Sequence, residues 1–389
     1  MPGTPEPRLR AWAYLSRVVE GPSWPLNELI RLIGPEEAAR AIRAGDLPPA
    51  LDRPTRARRD IDVSAEDLAT VHKLGGRLVT PDDEDWPHFR FLACRHETAR
   101  NDSECAPPVV LWALGDHRIA DITGFAYAIV GTRAPSSYGE HITSEIAFEL
   151  SQRGSTVISG AAYGVDGCAH RAAIGADGTT VAVLAGGIDC PYPSGHTRLI
   201  ADIARSGMVL SEYPPGTRPA RFRFLARNRL VAALSDAVVI TEAGARSGAR
   251  NTAKWARIYH KPVVAMPGPV TSATSVGCNQ MIRTGEATLV TSASEIITTT
   301  GAGARTTCPS VQEQADSRCT DGLSAEQLRI FDALPLRGAN SVTGISADVG
   351  VSEDAARRAL TMLELHGHAT QDERGWRRRR NSSSQAGLG

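Results

Sequence analysis

The chain has 389 residues, 42% of them hydrophobic, so we expect two or three globular domains with a sizeable core. Its 43 Lys and Arg balance its 43 Asp and Glu, which excludes a wholly basic nucleic-acid coat and an acidic disordered tail but not a local basic patch. No apolar segment follows Met1, and no stretch reaches about 18 apolar residues. We therefore predict a cytoplasmic protein without a membrane span.

The seven cysteines are scattered and odd in number. They form no C-x-x-C pair and show no spacing to histidine that would suit a metal ion. We therefore predict reduced thiols, no disulfide framework and no metal site.

Residues 1–76 are predicted to form an N-terminal helical domain of the SAM-like type. Apolar residues recur with helical spacing at 10–21 and 26–34, and Gly21 and Gly34 stand where helices commonly end. The same spacing returns at 64–76, where Ser64 is a candidate N-cap. A basic run at 53–59 is interpreted as a solvated loop in preference to a DNA contact.

From residue 127 onward, short apolar runs alternate with amphipathic segments. Strands that are apolar on both faces are typical of a parallel sheet covered by helices on both sides. Seven such runs predict a doubly wound α/β domain: 127–131, 156–160, 180–187, 208–212, 237–243, 262–268 and 288–292.

Small and polar residues follow the first three of these strands, at 131–139, 159–170 and 185–193. In an open parallel sheet, ligands bind at the carboxyl ends of the strands, so we predict a phosphate-binding groove there. The free N–H groups at the start of the next helix would help to hold an anion. The first loop offers groups suited to the same task, namely Gly131, Thr132, Arg133, Ser136 and Ser137.

Motifs for nucleotide cofactors and for covalent catalysis are missing from the sequence. It contains no G-x-G-x-x-G after a strand, no P-loop and no G-x-S-x-G. His170 could act as a general acid, although a packing role is the favoured interpretation. We predict no catalytic residue and no cofactor.

A basic segment at 213–235 carries five arginines and no acidic residue. Phe222 and Phe224 alternate with these arginines, and in an extended segment both rings would share one side. Proteins that bind single-stranded DNA use basic side chains to contact the phosphate backbone and aromatic rings to stack on the bases. The segment is therefore a candidate for binding single-stranded DNA. Alternatively, both rings pack in the hydrophobic core and do not contact DNA.

Residues 298–322 lack apolar periodicity and are predicted to be a flexible linker. Beyond it, 323–380 contains three helical patterns and a hairpin pattern, which together predict a winged-helix domain. Residues 381–389 are predicted to be a disordered tail.

The ordered set of motifs resembles the DNA-processing protein A family of bacteria (DprA, also called Smf). The resemblance covers most of residues 78–297. It is carried by GTRAPSSYG (131–139), SGAAYGVDGCAH (159–170), VAVLAGGIDCPYP (181–193), LSEYPPG (210–216), FLARNRLVAALS (224–235), EAGARSGARNTA (242–253), AMPG (265–268) and GCNQMIRTGEA (277–287). Leu225 and the ARNTA segment at 249–253 depart from the family pattern.

The resemblance implies an extended Rossmann-like domain at 77–297 that binds single-stranded DNA without a cofactor or turnover. It implies protection of incoming DNA and loading of the RecA recombinase during natural transformation. Implied DNA contacts are Gly131, Thr132, Arg133, Phe224, Arg227, Asn228 and Arg229, to which Ser159, Gly160 and Phe222 are added as strand-end and basic-segment candidates. A homodimer is implied through Met281, Ile282 and Leu289.

Two alternatives of other classes remain. A nucleotide-processing enzyme similar to the lysine-decarboxylase-like phosphoribohydrolases would need a catalytic Glu within a P-G-G-x-G-T-x-x-E segment, which 242–253 lacks. A winged-helix regulator would read duplex DNA with Arg357, Arg358 and the basic residues at 377–380.

Overall fold

The computed structural model describes residues 6–95, 102–301, 323–335 and 338–379. The chain divides into two compact units, Met1–Cys308 and Pro309–Gly389. Among the described helices, none is long and apolar enough to cross a membrane.

Within the described residues, the first unit begins with five helices: α1 (Glu6–Val18), α2 (Trp24–Ile33), α3 (Pro35–Ala44), α4 (Pro49–Thr55) and α5 (Ser64–Lys73). The helical spacing predicted α1, α2 and α5 but not α3. Residues 53–55 of the basic run, predicted to be a solvated loop, are part of α4. Gly34 ends α2 by donating its N–H to the Ile30 carbonyl. Ser64 is the first residue of α5 and not its N-cap, which is Val63. Apolar side chains of these helices, such as Trp12 and Leu26, share a core with the sheet that follows. A domain boundary at 76–77 stays a prediction.

In the described part of the first unit, nine strands form one sheet: β1 (Gly76–Val79), β2 (Leu111–Leu114), β3 (Ala126–Val130), β4 (Thr156–Ser159), β5 (Thr180–Val183), β6 (Met208–Ser211), β7 (Ala237–Ile240), β8 (Val263–Ala265) and β9 (Thr288–Leu289). Their order is β1-β2-β6-β5-β4-β3-β7-β8-β9. The seven predicted strands are present and parallel to one another. Two strands that the apolar runs did not predict, β1 and β2, extend the sheet in antiparallel pairing.

Helices cover both faces of the sheet: α6 (His88–Phe91), α7 (Ile119–Ile122), α8 (Ser137–Gln152), α9 (Val165–Gly175), α10 (Thr197–Ser206), α11 (Arg221–Leu234), α12 (Ala249–Ile258), α13 (Val276–Arg283) and α14 (Ala293–Thr299). Successive residues of β3 belong to two different cores, because side chains alternate across a strand. Tyr127 and Ile129 pack with α8 and α9, whereas Ala128 and Val130 pack with α11 and α12. The predicted doubly wound, Rossmann-like α/β architecture is confirmed.

The chain reverses its direction of travel across the sheet between β3 and β7. From β3 it proceeds through β4 and β5 to β6, and then returns to add β7, β8 and β9 on the other side of β3. The carboxyl ends of β3 and β7 therefore flank a topological switch point. Ligands of open α/β sheets bind in the crevice at such a point.

The second unit contains α15 (Ala325–Ala333), α16 (Val342–Val349), α17 (Glu353–Leu365), β10 (Ala369–Asp372) and β11 (Gly375–Arg378). Ser324 and Gln327 form a capping box at the start of α15. Ile330, Leu360 and Trp376 belong to the unit's own core. Three helices and a hairpin are the elements that the sequence predicted, and their assignment as a winged helix stays a prediction.

The predicted linker and tail fall mostly outside the described residues. Residues 298 and 299 end α14. The remainder of the linker from 302 to 322, and the tail at 381–389, lie beyond the described part of the chain.

Candidate nucleic-acid groove

A groove of about 420 Å³ opens at the switch point. Its walls come from the ends of β3 and β7, from α11 and from the start of α12. The lining residues are Val130, Gly131, Thr132, Arg133, Ala162, Asp166, Arg227, Asn228, Gly244, Arg246, Ser247, Gly248, Ala249 and Thr252. Three arginines and one carboxylate make this surface electropositive.

The loop after β3 is held by its backbone, which leaves the side chain of Arg133 exposed. Thr132 donates its N–H to the Glu242 carbonyl (2.8 Å), and its own carbonyl accepts from Val165 N–H (3.1 Å). Arg133 forms no ion pair with Asp166 or Glu242. Its guanidinium lies over the Phe224 ring, 5.4 Å from the centroid. The groove thus has an exposed cation at its edge whose geometry suits a phosphate.

The N-terminus of α8, expected to help hold an anion, is occupied by the protein's own carboxylate. Buried Glu242 accepts from the Ser136 N–H (2.8 Å) and from the Ser136 hydroxyl (2.6 Å). The Thr274 hydroxyl donates to it as well (2.5 Å). A Cβ on Gly139 would lie 2.1 Å from a Glu242 oxygen, so this position requires glycine. Ser136 is therefore unavailable to a ligand, which corrects the expectation.

Arg227 and Asp166 form the floor of the groove. Arg227 donates to the carbonyls of Gly160 (2.8 Å) and Val183, and Asp166 accepts from the N–H groups of Gly160 (3.1 Å) and Ala162 (3.3 Å). Burial lowers the pKa of Arg227 to about 10, so it stays charged at neutral pH. Burial raises the pKa of Asp166, which the charge of Arg227 opposes.

The wall opposite β3 comes from the start of α12. Gly248 caps this helix, and its first turn carries no acidic side chain, so its dipole presents positive charge to the groove. Arg246 is exposed just before it. Asn251, in the segment that departs from the family pattern, pairs with Asn228 (3.1 Å). Sequence reasoning missed Arg246, Ser247 and Thr252 as groove residues, although the Gly-rich loop after β7 was a signal for them.

An aromatic rim borders the groove. Phe224 packs against Tyr192 with ring centroids 5.4 Å apart, and Tyr192 is half exposed. Phe222 is 56% exposed, beside Arg223. The two phenylalanines do not share a side as predicted, because Arg221–Leu234 is a helix and residues two apart point about 200° apart.

Three predicted DNA contacts are not brought to this surface. Ser159 is fully buried and donates its hydroxyl to the Ile129 carbonyl (2.6 Å). Gly160 lies beneath Arg227, whose guanidinium would be 2.3 Å from an added Cβ. Arg229 is fully buried in an ion pair with Glu212. These three residues therefore support the groove from inside the protein and are not available to contact DNA.

The three residues predicted to form a dimer interface differ in their exposure to solvent. Met281 is fully buried in the core beneath β8 and is not available to a partner chain. Ile282 is partly exposed, and Leu289 on the edge strand β9 is 47% exposed. Only the last two can contribute to an interface.

His170 takes the packing role. The Thr180 hydroxyl donates to the Val157 carbonyl (2.8 Å), so the hydrogen in the 2.7 Å contact between Thr180 and His170 belongs to Nδ1. The His170 Nε2 is buried without a hydrogen-bond partner. Burial lowers the pKa of His170 to about 3, so the ring is neutral. Within the described residues, no cluster of His, Cys, Asp and Glu could hold a metal ion.

Comparison with known proteins agrees with this architecture. A DprA-named protein of Mycobacterium tuberculosis is 46% identical over 386 residues, covering 98% of this chain and 97% of that protein. The DNA processing protein DprA of Streptococcus pneumoniae is 38% identical over 191 residues, covering 49% of this chain and 66% of its own length. A crystal structure of the Streptococcus pneumoniae protein superposes with a TM-score of 0.61 at 28% identity, covering 76% of this chain and 98% of that one. Residues 77–301 match the family model of DNA recombination-mediator protein A, and the chain belongs to this DprA/Smf family.

Proposed function

We propose that this protein binds single-stranded DNA in the groove at the switch point. The proposal depends on Arg133 and Arg246, which are exposed on the loops after β3 and β7 and form no ion pair within the described residues. Arg227 lines the same groove. Phosphate groups are the natural ligands of guanidinium groups and of a helix N-terminus such as that of α12. Asp166 is the one carboxylate on the lining, and it lies 8% exposed at the floor.

The aromatic rim supports a single strand over a duplex. Phe224 and Tyr192 present ring surface next to Arg133, and bases can stack on such rings only when they are unpaired. Stacking contributes about 1–3 kcal/mol per base. The groove therefore combines backbone charge with base stacking.

In the cell, the proposal is that the bound strand is protected and passed to the RecA recombinase, in the cytoplasm, by a homodimer that binds without turnover. The family resemblance supports this role. The first turn of α12 carries no acidic side chain, whereas a phosphoribohydrolase would need its glutamate there. Arg357 and Arg358 are exposed on α17, so duplex binding by the second unit stays a prediction.

The test is a binding titration with single-stranded and duplex DNA of equal length at several salt concentrations. We expect tighter binding of the single strand and an affinity that falls with salt, as released counterions require. Arg246→Ala should weaken binding, whereas Arg205→Ala, an exposed arginine on α10 paired with Asp202, should not. Equal affinity for both DNA forms would contradict the stacking argument.

A further inference from the structure

A second basic cavity lies in the first unit, outside the switch-point groove. It has a volume of about 280 Å³ and lies where α1, the basic run at 53–59, the loop after β6 and the start of α11 meet. We call it the arginine basin. Its lining is Ser16, Arg17, Glu20, Arg58, Tyr213, Pro214, Gly216, Thr217, Arg218 and Arg223.

The charges of the arginine basin do not balance. Glu20 binds both Arg58 and Arg223, so one carboxylate serves two guanidinium groups. Arg17 is paired with Asp67 and also donates to the Pro215 carbonyl (2.8 Å).

Arg218 forms no ion pair within the described residues, and its side chain is exposed. Asp189 also borders the basin, where its carboxylate accepts from the Gly216 N–H (2.9 Å). Four arginines against the carboxylates of Glu20, Asp67 and Asp189 leave one positive charge in excess. An excess of positive charge in a partly enclosed cavity favours an anionic ligand such as a phosphate group.

The basin and the groove lie along one helix. Arg223 lines the basin and Arg227 lines the groove, four residues apart on α11, which places them on the same face at a separation of about 6 Å along the axis. That rise corresponds to about two stacked nucleotides of 3.4 Å each. Exposed Phe222 and the Phe224 ring belong to the same first turn.

We infer that the N-terminal helices supply a second phosphate site, the arginine basin, for the same DNA strand that occupies the groove. A strand leaving Arg227 along α11 would pass the Phe224 ring and reach Arg223, Arg218 and Arg58. The inference rests on the proposed function of the groove. It assigns a ligand to Arg218 and Arg223 of the 213–235 segment, and a role to Arg58 of the 53–59 run.

The first test uses Arg58→Ala with Arg56→Ala as its matched control. Arg56 belongs to the same basic run but pairs with Asp52 and lies outside the basin. Affinity is measured for a series of single-stranded oligonucleotides, from lengths that fill the groove alone to lengths that also reach the basin. We expect Arg58→Ala to lower the affinity for long oligonucleotides about tenfold. The slope of log affinity against log salt concentration should fall by about 0.7 for these oligonucleotides. The affinity of Arg58→Ala for short oligonucleotides should equal that of the parent, and Arg56→Ala should keep the parent's affinity at every length.

The second test uses Glu20→Gln, which keeps the shape of the side chain and removes its charge. If the basin binds phosphate, the freed Arg58 and Arg223 should tighten long-oligonucleotide binding several-fold and steepen its salt slope. If Glu20 and its arginines merely tie the segment after α1 to α11, the variant should melt at a lower temperature and gain no affinity for DNA.

The two tests also separate this inference from the function on which it depends. Loss of affinity in Arg133→Ala at every length, with no length-dependent effect of Arg58→Ala, would leave the groove in place and overturn the basin. A Glu20→Gln protein that binds long oligonucleotides no better than the parent would overturn it as well. No effect of Arg133→Ala at any length would overturn the proposed function itself.

Discussion

At the scale of single residues, the groove is built by backbone contacts that free a few charged side chains. Within the described part of the chain Arg133 has no carboxylate partner, because Glu242 behind its loop already accepts hydrogen bonds from Ser136 and Thr274. Its guanidinium lies over the Phe224 ring, 5.4 Å from the centroid. The side chain therefore contributes little to folding and is free to bind a ligand.

Arg133→Ala should weaken binding of all single-stranded sequences alike and reduce the salt slope by about 0.7, as expected for one lost phosphate contact. Its free energy of unfolding should stay within about 1 kcal/mol of the parent, as for most surface substitutions. DNA titrations across salt and thermal melts measure the two effects. A lower melting temperature with an unchanged slope would make Arg133 a structural residue.

His170 predicts a pH dependence of stability. Its pKa is about 3 in the folded protein and about 6.5 in the unfolded chain, so the unfolded state binds more protons between these values. Stability should therefore fall as the pH drops through this window, by at most about 1.4 kcal/mol per pH unit from this residue. Protonated Nε2 would be a buried donor without a partner.

Chemical denaturation at pH 4 to 7 tests this expectation. His170→Asn retains an N–H group able to reach Thr180 but cannot titrate, so its stability should depend less steeply on pH than that of the parent. If the free energy of unfolding changes equally with pH in the two proteins, His170 does not contribute to the pH dependence of stability.

At the scale of elements, the helical state of 221–234 decides what each arginine does. In a helix, Arg227 and Arg229 point about 200° apart. Arg227 therefore faces the groove, whereas Arg229 enters the core and pairs with Glu212, 17 residues earlier. The sequence pattern identified the basic segment. Its helical geometry decides that Arg227 lines the groove while Arg229 packs in the core.

The edge strand β9 is the element on which the proposed dimer depends. Leu289→Arg should leave a folded protein, because this side chain is already half exposed, and should convert a dimer to a monomer. Met281→Arg should instead unfold the protein, since it places an unpaired charge in the core. Light scattering of Leu289→Arg and its thermal melt test both parts. A persistent dimer would show that β9 lies outside the interface.

At the scale of the whole molecule, the two units have separate cores, and every residue of the groove and of the arginine basin belongs to the first. A chain that ends at residue 308 should therefore fold and keep the parent's affinity for single-stranded DNA. Circular dichroism establishes the fold, and the same titrations establish the affinity. A folded fragment with clearly weaker binding would show that the second unit contributes to the site.

The sequence by itself determined the seven parallel strands, the helical N-terminus and the loop that carries Arg133. Continuous apolar runs and small residues at strand ends are local signals that need no knowledge of distant partners. Only the tertiary structure decided that Ser159, Arg229 and Met281 are buried. It also decided that Arg246 joins the groove and that Arg58 meets Arg223 across Glu20. These outcomes depend on packing and ion pairs between residues far apart in the chain, which periodicity and spacing do not encode.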